Sequence, residues 1–211
     1  MPVWQSIYDE LKDQNFEIIF VAQDTGGEAA AGKFYDDAKV TYTALIDEKH
    51  VISSLYNFVN VPSGAWIDEE GKVVRINEGT YAKRHGAFGT DDYVPALRDW
   101  VANGKDSQYV WDEDKVASKI KSRSSEQERA DPAFKLGIYF HINENKEEAE
   151  QYWKMAQQLD PDNINYFRQD LSFSEEGSSG ASFRQKVQEL RGRGKDYYES
   201  LELETKEEEN N

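Results

Sequence analysis

Apolar residues recur at helical spacing from the first turn of the chain. Val3, Trp4, Ile7, Tyr8 and Leu11 predict a helix over residues 3–13, with no capping residue ahead of it. The run Phe16-Glu17-Ile18-Ile19-Phe20-Val21-Ala22 then reads as a strand buried on both faces, closed by a loop at Asp24-Thr25-Gly26-Gly27. Ala31, Phe34, Tyr35 and Ala38 mark one side of a helix over 28–39, Tyr42-Thr43-Ala44-Leu45-Ile46 is a second strand, and Ile52, Leu55 and Tyr56 sit on a short helix over 49–58. Two short strands follow, Gly64-Ala65-Trp66-Ile67 and Lys72-Val73-Val74-Arg75-Ile76, joined by a tight turn at Asp68-Glu69-Glu70-Gly71. Beyond a loop from Gly79 to Gly89, Asp91 caps a helix through Val94, Leu97, Trp100 and Val101. Pro95 falls in its first turn, where the missing N–H does little harm, and Gly104 stops it. Helical crossovers require parallel strands and the hairpin an antiparallel pair, so residues 1–104 read as an α/β domain.

Residues 105–130 are polar, with Val110, Trp111, Val116 and Ile120 as apolar anchors, and read as a linker carrying one short helix near 112–122. Over residues 131–170, Leu136, Gly137, Phe140, Ala149, Trp153, Ala156 and Pro161 follow the spacing of one tetratricopeptide-like helical hairpin. Gly137 and Ala149 let the two helices approach, Phe140 and Trp153 fill the seam, and Asn145 lies in the turn. One repeat does not make a peptide-binding solenoid, so the expected role is packing on the first domain or docking a protein partner. A third helix begins over 164–170. Residues 171–211 read as a flexible loop at 174–180, a short helix over 183–191, and a disordered acidic tail from Glu202 to Asn211.

Aromatic residues make up 13% of the chain, which argues for packed cores. A formal charge of −16 sets phosphate backbones and anionic membranes against it, so nucleic acid is not an expected partner. No apolar run has the length of a membrane span. Cysteine is absent, which removes thiolate nucleophiles, disulfides and thiolate metal sites. His50, His85 and His141 lack metal-ligand spacing, and no phosphate-binding glycine loop or serine nucleophile elbow is present, so neither metal nor cofactor is expected.

The stretch Tyr56-Asn57-Phe58-Val59-Asn60-Val61-Pro62-Ser63-Gly64-Ala65-Trp66-Ile67-Asp68-Glu69-Glu70-Gly71-Lys72-Val73 resembles thioredoxin-like proteins of the TlpA/ResA or redoxin type. These carry an aromatic-rich helix end, Val-Pro, an apolar strand, Asp-x-x-Gly and a basic residue. The resemblance implies a thioredoxin-like fold whose first, central strand is missing. It also implies a cis Val61–Pro62 bond facing a dithiol, in a loop that pairs with a bound peptide. The substrate-binding residues it implies are Asn60, Val61, Pro62 and Gly79, with Trp4 at the active-site end of the first helix and His85 in the loop beside the groove.

Met1-Pro2-Val3-Trp4 resembles the segment just after the family's Cys-x-x-Cys. Three explanations stand: a chain started at an internal Met, a selenocysteine UGA read as a stop, or a redox-inactive relative. The first two imply a thiol–disulfide oxidoreductase whose motif lies upstream and whose substrates are disulfide- or thiol-bearing proteins or small molecules. The third implies a binding or scaffold module. Compartment is not legible.

Overall fold

The computed structural model describes residues 1–82, 93–120 and 122–203. Helix α1, Pro2–Leu11, starts on a proline, whose preset φ suits the first helical position and whose missing N–H needs no acceptor there. As expected, no side chain caps it. Ile7 and Leu11, one turn apart, are buried with Trp66, Tyr93, Val94, Ala96 and Leu97.

Strand β1, Ile19–Ala22, pairs in parallel with β2, Thr43–Ile46, with Ile19 opposite Thr43 and Ala22 opposite Ile46. Helix α2, Gly27–Ala38, makes the crossover. Its Tyr35 hydroxyl accepts from the Ala22 N–H at 2.8 Å and donates to the Leu45 carbonyl at 2.8 Å, which fixes the helix to both strands. Helix α3 is Val51–Tyr56. Strands β3, Ser63–Ile67, and β4, Val73–Glu78, form an antiparallel hairpin. Its turn is closed by Asp68, whose carboxylate accepts from the Glu70 and Lys72 N–H groups, and by Gly71 at a φ of +80°, which favours glycine. Helix α4, Tyr93–Asn103, follows and ends at Gly104, which has a positive φ. Asp91, the expected cap, lies outside the described residues.

The element order and strand directions are those expected of a mixed α/β chain. The four strands form two separate pairs, β1-β2 and β3-β4, and among the described residues no backbone hydrogen bond joins β1 to β3. Helix α1 packs on β3 and on the residues that lead into β2. Gln5 exchanges hydrogen bonds with Thr41 and Tyr8 meets Tyr42 edge-on beside β2, while Ile7 and Leu11 pack with Trp66 of β3.

The split sheet overturns one expectation. β1 is not buried on both faces: Ile19 is 64% exposed and Phe20 to Ala22 are half-buried, because the strand has one neighbour and its other edge lacks a ladder. Phe34 and Leu55 are likewise exposed, at 63% and 72%. Helical periodicity placed them beside Ala31 and Ile52, but the layer covering those residues does not reach them.

Helix α5, Glu113–Lys119, is capped by the Asp112 carboxylate. Helix α6, Ser125–Ile142, begins inside the stretch expected to be linker, because Ser124 and Gln127 form a reciprocal capping box. It packs on α7, Lys146–Leu159, through Ala130, Phe134, Ile138, Ala149 and Ala156, with Gly137 directly against the Trp153 indole, as the spacing predicted. Helix α8, Ile164–Ser172, adds Tyr166, which stacks on Phe134 at 4.4 Å between centroids. Residues 174–180 are a run of turns, with Glu176 accepting from the Ser182 N–H at 3.0 Å, and α9 is Ala181–Gly192. No helix among the described residues is long and apolar enough to cross a membrane.

Candidate functional site: the loop at Pro62 and the segment that covers it

Between α3 and β3 the chain runs through Asn57 to Pro62 without regular structure, so its polar groups must find partners outside a ladder. They find them in distant elements. Arg123 donates to the Asn57 carboxamide at 2.9 Å and to the Ser54 carbonyl. Asn165, at the start of α8, donates from its side chain to the Phe58 carbonyl at 2.8 Å and from its N–H to the Val59 carbonyl at 3.2 Å. The Val61–Pro62 bond is cis, and the Pro62 carbonyl accepts from the Gly79 N–H at 2.8 Å.

Asn60, which the family resemblance placed in a substrate groove, is 1% exposed. Its carboxamide oxygen accepts from the Val61 N–H at 2.9 Å and its amide donates to the Tyr197 carbonyl at 2.7 Å. The Val61 carbonyl accepts from the Tyr198 hydroxyl at 2.7 Å. Both backbone groups of Val61 are therefore engaged within the chain. The Tyr198 ring also lies over Gly79, whose φ is +67°. A Cβ there would stand 3.1 Å from that ring, so close approach and backbone conformation both require glycine. Tyr81 and Tyr198 hydroxyls meet at 3.0 Å. Burial pushes the Tyr198 phenol far up, so it is a neutral donor at ordinary pH.

The covering segment, residues 197–203, is held at both ends. Tyr197 is buried with Ile164, Val187 and Leu190 of α8 and α9. At the other end Arg75, 1% exposed, donates to the carbonyls of Leu201, Glu202 (2.9 Å) and Tyr109 (2.7 Å) and to the Asn77 carboxamide (2.7 Å). Its guanidinium lies 4.2 Å from the Trp111 ring centroid and 5.5 Å from that of Trp66. Burial lowers its pKa to about 10, still charged at neutral pH. Glu202 pairs with Lys115 and Lys119, which hold its carboxyl below the ordinary value although burial works the other way. Glu202 is thus a fixed contact, where a disordered tail had been expected, and residues 204–211 lie outside the described residues. The crevice beside this segment, lined by Phe58, Ile76, Lys119 and Ser200 among others, measures ≈ 70 Å³, too small for a drug-sized molecule.

Trp4 lies apart from these contacts. It is half-buried and meets Tyr93 edge-on at 6.2 Å, and the Tyr93 phenol accepts from the Trp66 indole N–H at 2.8 Å. Burial raises the Tyr93 phenol to about 12.

His85 lies outside the described residues. His141 stacks on Phe173 at 3.9 Å. His50 is 2% exposed, its Nε2 within hydrogen-bond reach of Gln169 (2.9 Å) and Thr25 (3.2 Å), and burial lowers its pKa to about 4. Among the described residues no three His, Cys, Asp or Glu side chains are placed to hold a metal ion.

Sequence reading missed Arg75, Asn77 and the Tyr197-Tyr198 pair. Signals existed: Arg75 and Asn77 occupy alternate positions of β4 on its buried side, and Tyr197, Tyr198, Leu201 and Leu203 interrupt a charged terminus. The contacts that tie residues 197–203 to the Pro62 loop and to β4 span more than a hundred residues, which no local pattern encodes. No family model matches the chain, and neither a curated protein nor a solved structure does.

Proposed function

We propose that this chain is the substrate-facing portion of a thioredoxin-like thiol–disulfide oxidoreductase of the TlpA/ResA or redoxin type, whose cysteine or selenocysteine motif is encoded upstream of Met1. Alone it is inactive, because it holds no thiol. The split sheet is the observation that carries this reading. Among the described residues the strands form two separate pairs, and α1 packs on Trp66 of β3 and on Thr41 and Tyr42, which lead into β2. One added strand between the two pairs, leading into α1, would make them one continuous sheet of the thioredoxin-like kind.

Such a strand would deliver the motif to the N-terminus of α1, where the helix dipole favours a thiolate or selenolate. That anion attacks a substrate disulfide, one substrate sulfur leaves as a thiolate, and the second motif thiol attacks the mixed disulfide to release the other. The substrate is a disulfide- or thiol-bearing protein or small molecule. The engaged backbone groups of Val61 favour a second reading, a redox-inactive binding module on the same fold.

Expressing the chain with its upstream coding segment and measuring insulin-disulfide and peroxide reduction tests the proposal. Turnover by the extended protein and none by the chain from Met1 is expected. An extended protein that carries no thiol or selenol, or that turns over neither substrate, contradicts it and leaves the binding module.

A further inference from the structure

We infer that the Pro62 loop, the buried face of β4 and α5 form a peptide-binding site whose resident ligand is the chain's own residues 197–203. The competitor it fits is a peptide segment carrying tyrosine and, four residues on, glutamate. The inference rests on the oxidoreductase reading only in taking this loop as the substrate side; the contacts stand without it.

Three buried side chains define the site: Asn60, Arg75 and Asn77. Each donates to main-chain carbonyls of the segment: Asn60 to Tyr197, Arg75 to Leu201 and Glu202, Asn77 to Leu201 at 3.2 Å. Reading a segment by its backbone is how proteins bind extended peptides, with side-chain contacts adding selectivity. Here the selective contacts are two. The Tyr198 hydroxyl reaches the Val61 carbonyl, and the Glu202 carboxylate reaches Lys115 and Lys119. The segment itself forms no helix or strand, and it is joined to α9 through exposed residues 193–196. With the segment gone, the Asn60 and Asn77 amides, one Arg75 nitrogen and the Val61 carbonyl would lose these partners, which disfavours an empty site and favours a segment that restores them.

Cutting the tether tests this without relying on a truncated chain to fold. A protease site is inserted between Gly194 and Lys195 in the full chain, the protein is cleaved, and its circular dichroism is compared with the intact protein. A fluorescein-labelled synthetic peptide of residues 195–203 is then titrated and followed by anisotropy. Binding to the cleaved protein at least tenfold tighter than to the intact one is expected. A Tyr198→Ala peptide and a scrambled peptide should bind at least tenfold more weakly than the native peptide. Three results would overturn the inference: equal binding to intact protein, equal binding of the scrambled peptide, or no binding to a cleaved protein that keeps its fold. Loss of the fold on cleavage would overturn it too, since the segment would then be an inseparable structural element. None of these readouts involves thiol chemistry, so failure here leaves the oxidoreductase reading standing, and an inactive extended protein leaves this site standing.

Discussion

The Tyr198 hydroxyl and the Val61 carbonyl are 137 residues apart in sequence and 2.7 Å apart in space. That bond closes the end of the chain over the loop entering β3. Tyr198→Phe keeps the ring over Gly79 and deletes only the hydroxyl. It should cost about 1 kcal/mol of stability in urea unfolding, the ordinary net value of such a bond. Cleavage by trypsin at Lys195 should speed up alongside. No change in either would show that the phenol is not holding the segment.

Arg75 should be the most sensitive position of the same region. Its planar fork serves four acceptors and lies against Trp111. Lysine keeps the charge but cannot reproduce that geometry. Arg75→Lys should therefore destabilise by roughly 2–4 kcal/mol, with buried acceptors left unpaired. Chemical denaturation followed by tryptophan fluorescence measures it; a cost under about 0.5 kcal/mol, typical of surface positions, would contradict the assigned role.

His50 should make stability depend on pH. Its ordinary pKa is 6.5 and burial takes it to about 4 in the folded chain, while the Gln169 hydrogen bond and then Asp47, Asp24 and Asp131 pull the other way. Between those values the unfolded chain binds a proton that the folded chain does not. Stability is therefore full above pH 6.5, falls as pH drops toward 4, and loses no more from this group below that. The loss should approach about 3 kcal/mol. Urea midpoints from pH 4 to 8 for the natural protein and His50→Gln isolate it, and parallel profiles for the two would refute it.

Gly137 and Gly192 should respond oppositely to alanine. A Cβ at 137 collides with the Trp153 ring, whereas one at 192 meets nothing within 4 Å. Gly137→Ala should cost about 1–2 kcal/mol, overpacking outweighing the gain in helix propensity. Gly192→Ala should stabilise by about 0.5 kcal/mol. Thermal unfolding of both variants gives the signs.

What the sequence revealed and what it hid follow the range of the interactions involved. The Val3-to-Leu11 spacing, the Asp68-to-Gly71 turn and the Gly137–Trp153 seam are local, and they are legible. The start of α6 is hard to place from sequence because its Ser124–Gln127 capping box lies within a charged, apolar-poor stretch. Burial of β1 was overestimated because an apolar run reports what a strand is suited to, while its neighbours decide what is covered. The contacts of Asn60, Val61 and Gly79 with residues 197–203 were hidden, since nothing in a local pattern announces a return of the chain to that loop.

Translation of the nucleotides immediately upstream of the Met1 codon tests the central claim most directly. An in-frame apolar strand followed by Cys-x-x-Cys, or by a UGA codon at the corresponding position, is the predicted result. An in-frame stop other than UGA close to Met1, with no such strand and motif, would contradict it.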